Sequence, residues 1–366
     1  NAGGARATWW NPINVDLAAA SLNFFQSIAA EIQFFQKGYL FLYPPSKWKV
    51  ARKSQKLYEQ HHLGVKYLDP GQIPKHLPEF RNFKGVAGAT FSPQDGLLDP
   101  HLLKEYYQQG AKEKGVRFLD RHYVEALKTG QGKIQKVHCA VKDTKSISDT
   151  QLLQILTQHR VPEKEGWKPR EFQPNVVINC TGAWLPITSQ RYQRPLPIRP
   201  IRRQISLFSS HEEDFSDRGM IVDASGLYFH AEGSHTGLLL GGYSNRDEKP
   251  AYNFSYDGEK FFDRKIWLRL YRRGDRQGFT ALKHLRGWAG LYAVGPDNTA
   301  VLGAVPGVKN LFELGAATGR GVMQSYALSR GLTELITQGS FQSLDLSPLN
   351  RKRFEEEKFQ RENLDI

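Results

Sequence analysis

Asn175-Val-Val-Ile-Asn-Cys-Thr-Gly-Ala-Trp184 is the stretch whose reading decides the fold. Its apolar start does not alternate with polar residues, and such a run predicts a parallel strand buried on both faces. The run ends in Thr181-Gly182-Ala183-Trp184, where strand gives way to helix, and ligands of open α/β sheets bind at the carboxyl ends of strands. A second glycine-rich turn, Gly315-Ala-Ala-Thr-Gly-Arg-Gly321, precedes helical spacing from Val322 to Gly339. Its glycines let backbone N–H groups approach a ligand, and a helix N-terminus offers about half a positive charge to an anion. A third turn, Asn1-Ala-Gly-Gly-Ala-Arg6, leads toward a helical pattern over 14–37. Each turn alone is what an ordinary helix entry looks like; the three together predict a ligand site at strand ends.

The intervening sequence fills in the architecture. Asp95-Gly-Leu-Leu-Asp-Pro100 predicts a turn with Asp99 as N-cap and Pro100 at the first helical position. A short strand over 116–119 and strands over 123–127 and 134–141 follow. Residues 142–172 are polar and irregular and read as a surface loop or hairpin. From 198 to about 285 the pattern alternates, predicting an antiparallel sheet with a helix near 258–272. The expected fold is α/β, α+β overall. A Rossmann-like nucleotide-binding domain over 1–36, 94–190 and 286–345 is interleaved with an antiparallel-sheet substrate or cap domain over 37–93 and 191–285. Residues 346–366 form a charged tail expected to fray.

Composition narrows the function. At 366 residues the chain exceeds the ~250–300 that one core serves, so two domains are expected. No apolar stretch approaches the ~20 residues needed to span a bilayer. Cys139 and Cys180 sit in apolar runs, which suits buried free thiols in a reducing compartment, and no Cys/His cluster has metal-ligand spacing. The net charge of +13 asks for an anionic partner: nucleic acid, acidic lipid, or a phosphate-bearing cofactor with an anionic substrate. The basic clusters at 199–203, 269–276 and 351–353 match no nucleic-acid module, so nucleic acid is not expected.

With these pieces in place, the chain resembles the D-amino-acid-oxidase type of FAD-dependent oxidoreductase, the group containing sarcosine oxidase, glycine oxidase and dimethylglycine dehydrogenase. The likeness runs through the 1–6, 95–100 and 176–184 segments, Ile198-Arg-Pro-Ile-Arg-Arg-Gln204, Trp288-Ala-Gly-Leu291, Gly295-Pro-Asp297 and 310–321. It implies non-covalent FAD and a small, anionic substrate. Gly3, Gly4 and Arg6 are then expected beside the pyrophosphate and flavin, Val124 at the adenine edge, and Gly182 and Ala183 by the ribityl chain or pyrophosphate, with Trp184 bracing that turn. Gly319, Arg320, Gly321, Val322 and Met323 are expected at the flavin O2 side, where N–H groups and the helix dipole stabilise negative charge. The family's first phosphate-binding turn would precede residue 1, so the chain as given is expected to bind FAD poorly or not at all.

The departures are informative too. Covalent attachment in the family uses a Cys where this chain has Gly290. Glycine-oxidase-like members clamp the substrate carboxylate with an Arg where it has Tyr292, and sarcosine-oxidase-like members use a Lys where it has Met323. Tyr228, His230, Tyr243 and Tyr292 are the candidates to face substrate, and no catalytic base is assigned. Two functions follow. One is an oxidoreductase removing hydride from an amine or hydroxy-acid C–H, reoxidised by oxygen or an electron-transfer partner. The other is a flavoprotein assembly factor for a respiratory complex, with structural FAD. The resemblance places a bacterial member in the cytoplasm and a eukaryotic one in the mitochondrial matrix.

Overall fold

A computed structural model describes residues 2–142, 147–161, 166–233, 237–244 and 248–364. In chain order the strands are β1 (Gly4–Ala5), β2 (Tyr39–Tyr43), β3 (Lys66–Leu68), β4 (Gly88–Ser92), β5 (Gly96–Leu97), β6 (His122–Gly130), β7 (Lys133–Lys142) and β8 (Trp167–Phe172). They continue with β9 (Val177–Asn179), β10 (Arg199–Ser209), β11 (Met220–Val222), β12 (Leu227–Ala231), β13 (Leu238–Tyr243), β14 (Lys283–Val294), β15 (Val301–Ala304) and β16 (Leu311–Gly315).

One large sheet carries the molecule. Its order is β14-β10-β13-β12-β11-β2-β4-β3, antiparallel throughout except that β11 runs parallel to β2. Because side chains alternate along a strand, β2 splits its residues between two cores. Tyr39, Phe41 and Tyr43 join the cluster under the Pro12–Ser27 helix. Leu40 and Leu42 join Phe229, Phe262, Ile266 and Leu270 on the opposite face, where a helical segment over 259–273 covers the sheet with a π-type stretch at Phe262–Trp267. The sheet's last strand, β14, runs through residue 286 instead of stopping before it.

A smaller sheet has the order β15-β16-β9, and in it β16 and β9 are parallel, as the 176–184 reading requires. β9 is nevertheless an edge strand among the described residues, with Val176 44% and Ile178 46% exposed, so burial on both faces is not found. The Pro12–Ser27 and Ser325–Gln338 helices pack together over this region. Phe24 stacks on Tyr326 with centroids 4.1 Å apart, a geometry worth about 0.5–1.5 kcal/mol beyond area burial. Ser21 Oγ accepts from Ala327 N–H at 3.2 Å, satisfying one of the donors a helix start leaves without an intrahelical partner.

Several local expectations are corrected. Residues 116–119 form no strand, and Val116, Phe118 and Leu119 are exposed. Within 142–172 lie a helix, Asp149–Gln158, and β8, which pairs with β7. Ser148 and Gln151 close a capping box there, and the side-chain-to-backbone bonds offset the polar composition. Cys139 is buried, but Cys180 is exposed beyond the end of β9. The C-terminal segment is not frayed. Arg353 Nε donates to Asp297 Oδ2 at 2.7 Å, Arg351 Nη1 donates to Glu313 at 2.9 Å, and all four side chains are buried. Among the described residues, no helix is long and apolar enough to cross a membrane.

Candidate functional site

The pairing register builds the site's floor. In β10 and β14, Arg199 stands opposite Val294, Ile201 opposite Tyr292, Arg203 opposite Gly290 and Ile205 opposite Trp288. Partners across a ladder share a face, and these eight residues line a cavity of about 460 Å³. Tyr228 of β12, Met220 and Val222 of β11, and Tyr39 of β2 extend the same face. Over them stand Gly4, Trp9, Thr318, Gly319, Arg320, Met323 and, from the C-terminal segment, Leu364. The cavity therefore lies between the large sheet and two of the three glycine-rich turns.

Glycine sets the shape of this space. A Cβ on Gly319, where φ is +82°, would lie 2.4 Å from Tyr292 Cε2; the absent side chain lets the Tyr292 ring lie against the loop. Gly290 has no atom within 4 Å of where its Cβ would be, so it opens the floor. Ala316 and Thr318 hold φ of +56° and +47°, a conformation that non-glycine residues occupy at a cost of order 1–3 kcal/mol and that concentrates at functional sites. Residues 316–324 form a loop in which Ala317 bridges to Val294, and the helix begins at Ser325, later than the spacing from Val322 suggests.

Charge is concentrated behind the roof. Arg6 is fully buried and stacks over Trp9 at 3.6 Å, with Arg320 over the same indole at 4.7 Å. Arg6 Nη1 donates to the Thr8 carbonyl at 3.0 Å, while Nε and Nη2 have no hydrogen-bond partner. Asp95 accepts from Ala7 N–H at 2.8 Å and Thr8 Oγ1 at 3.0 Å. Burial holds its carboxyl up at about 6, against the pull of those two donors and Arg6. Burial likewise raises the Tyr39, Tyr228 and Tyr292 phenols, so they present neutral hydroxyls at neutral pH.

The C-terminal segment anchors this roof. Glu362 accepts from Trp10 N–H at 3.3 Å, Asn11 N–H at 3.1 Å and Asn14 Nδ2 at 3.2 Å. A carboxylate at the start of the Pro12–Ser27 helix complements the helix dipole. Two residues later Leu364 enters the cavity lining.

The predicted residues separate into groups. Gly4, Gly319, Arg320, Met323, Tyr228 and Tyr292 line the cavity. Gly3 packs beside it, its N-terminal strand pairing with β5. Gly321 and Val322 line a second, more open groove against the Pro100–Glu113 helix, with Leu103, Tyr107 and Phe118. Val124, on β6, and Gly182, Ala183 and Trp184 line neither space. Trp184 Nε1 donates to the Leu156 carbonyl at 2.8 Å, and Tyr252 donates to the Ala183 carbonyl at 3.1 Å.

Two substrate-facing expectations are corrected. Tyr243 pairs with Leu227, one residue out of step with Tyr228, so it faces the other side of the sheet under Arg269 and Lys265. His230 shares Tyr228's parity but is 4% exposed and outside the cavity lining. Its Nδ1 donates to the Ala231 carbonyl at 2.7 Å, and burial favours the neutral ring. Arg203, Tyr39 and Trp9 were not among the expected site residues, although alternation from Arg199 through Ile205 carries the signal for Arg203. Nothing local marks Leu364, which arrives by tertiary packing.

Residues 1–335 match the family described as DAO, FAD dependent oxidoreductase. The chain is 28% identical over 381 residues to FAD-dependent oxidoreductase domain-containing protein 1 of Bos taurus, covering 96% of this chain and 74% of that protein. The Drosophila melanogaster homolog is 25% identical over 93% of this chain and 67% of its own length. Among solved structures, L-proline dehydrogenase from P. horikoshii superposes with TM-score 0.77 at 22% identity, covering 98% of this chain and 87% of that one. Glycine oxidase from Geobacillus kaustophilus gives TM-score 0.69 at 16% identity, covering 93% and 83%. At these identities the structural likeness shows the fold. The extent of the family match shows more: the chain belongs to the DAO family of FAD-dependent oxidoreductases.

Proposed function

We propose that this protein oxidises a small amino acid or related hydroxy acid at a C–H bond beside nitrogen or oxygen, using non-covalent FAD in the cavity over the sheet. The observation that carries the reading is that the Thr318–Arg320 turn and Met323 line one cavity with Gly290, Tyr292 and Tyr228, with Gly319 against the Tyr292 ring. Family membership makes FAD the expected cofactor. The neighbours' names, L-proline dehydrogenase and glycine oxidase, point to amino-acid C–N chemistry.

The residues present fit such a cofactor. Gly290 leaves the floor open to a flat ring, and no cysteine stands there to bond it. The 316–324 turn would bring backbone N–H groups and the Ser325–Gln338 helix dipole to the ring's electron-rich edge. Gly4 would meet the cofactor from the N-terminal side, with Gly3 and Arg6 packed behind it and outside the lining. When bound, FAD supplies a two-electron acceptor for hydride. The chain's own contribution is to orient substrate between Tyr228, Tyr39 and Tyr292 and to keep water out with Trp9, Met220 and Leu364. The one carboxylate in the lining among the described residues, Glu248, is paired with Arg202 at 2.6 Å, and the neutral phenols fit a reaction that depends on orientation.

The test is anaerobic addition of secondary and primary amino acids and 2-hydroxy acids to the FAD-loaded protein. Loss of the oxidised-flavin absorbance with at least one class is expected. An unchanged spectrum across the panel would remove the enzyme reading and leave FAD as a structural group.

A further inference from the structure

We infer that Arg203 is the group that binds the carboxylate of the proposed acid substrate. The inference rests on the proposed cavity but makes a separate claim about it. Tyr292 and Met323 line the cavity as uncharged side chains. The adjoining strand brings a cation to the same place. Ile201 is the ladder partner of Tyr292, and Arg203, two residues on, projects from the same face with its guanidinium carbon 5.3 Å over the Tyr292 ring.

Three observations argue that this guanidinium awaits an anion. First, Arg203 makes no ion pair among the described residues. Its Nη1 is tethered to the Arg202 carbonyl at 3.1 Å, while its buried Nε has no hydrogen-bond partner. Second, its sequence neighbour is fully engaged: Arg202 donates to Glu248 at 2.6 Å and to Asp257 at 3.0 and 3.2 Å. Glu248 lines the cavity, but its carboxylate is held by Arg202, as is that of Asp257, and of the two arginines only Arg203 lines the cavity. Third, its cross-strand partner is Gly290, whose missing side chain leaves room beside the guanidinium for a ligand. A planar guanidinium with a free N–H edge, next to neutral tyrosine hydroxyls, matches the geometry of a carboxylate.

The experiment uses the intact, FAD-loaded protein and two unreactive probes of one shape, cyclopentanecarboxylate and cyclopentanecarboxamide, measured by isothermal titration calorimetry. The wild type should bind the carboxylate about 10- to 100-fold more tightly than the amide, the range expected for a charge-assisted hydrogen bond. Arg203→Gln should abolish that preference while leaving amide binding unchanged, which also reports an intact pocket, and Arg203→Lys should restore part of it. Equal binding of the two probes to the wild type, or a preference retained in Arg203→Gln, overturns the inference. No turnover is needed, so its failure is separable from that of the proposed reaction. Flavin reduction by amines lacking a carboxylate, as fast as by amino acids and independent of Arg203, would sink the carboxylate assignment alone.

Discussion

Replacing Arg353 by methionine tests how the C-terminal segment holds the site together. Arg353 is 3% exposed and Asp297 1%. Their contact is bidentate, Nε to Oδ2 at 2.7 Å and Nη2 to Oδ1 at 3.2 Å. The same guanidinium donates to the carbonyls of Thr299 at 2.9 Å and Ala300 at 3.0 Å. Methionine keeps much of the apolar stem but strands the Asp297 charge with two backbone donors, Gln360 N–H at 2.9 Å and Thr299 N–H at 3.2 Å. Breaking a buried pair this way costs about 3–5 kcal/mol. Equilibrium urea denaturation at pH 7 should show that loss. In the Arg353→Met, Asp297→Asn double variant the second change should cost little, giving a coupling of roughly 2 kcal/mol or more. Because Glu362 N–H also donates to the Asp297 carbonyl at 2.9 Å, the chain leading to Leu364 should become the first site of limited proteolysis. A loss under about 1 kcal/mol, or strict additivity of the two changes, would refute the view that this pair fastens the segment.

Two further outcomes are expected. Asp95, raised to about 6 in the folded protein from an ordinary 3.8, binds protons more tightly when folded. Its contribution is therefore present in full below about pH 4 and lost as pH rises through about 6, a change of about 3 kcal/mol. Denaturation free energies at pH 4.5 and 7.5 should show a steeper fall for wild type than for Asp95→Asn; equal slopes would contradict the assignment. Gly319→Ala should weaken ligand binding and cost about 1–3 kcal/mol through its positive φ and the Tyr292 contact. Gly321→Ala, with nothing within 4 Å of its Cβ and no positive φ, should stay within about 0.5 kcal/mol of wild type. Equal melting shifts for the two would refute the packing argument.

What the sequence disclosed follows the range of the interactions involved. Asp99 reads as a helix cap and acts as one, accepting from His101 N–H at 2.7 Å, because capping is decided within four residues. The apolar run at 176–178 correctly predicts a parallel strand, yet burial on both faces depends on what lies beside it. Tyr228 and Tyr243 look equivalent as strand tyrosines; one step of register sends them to opposite faces. The 149–158 helix carries a legible Ser148–Gln151 box that its polar surroundings obscured. The charged end of the chain looks solvated by composition, and it is ordered by buried acids contributed from distant segments, Asp297 and Glu313. Site residues on strands with a clear period of two were within reach of sequence reasoning, and Arg203 is the one that such a count recovers.

If FAD and substrate share the cavity between the sheet face and the Gly319 turn, a crystal structure of the FAD-loaded protein will show electron density for the isoalloxazine ring over Gly290 and Tyr292, with its edge against Gly319–Met323; a ring bound elsewhere, with Tyr292 and Tyr228 closed over an empty floor, would rule that placement out.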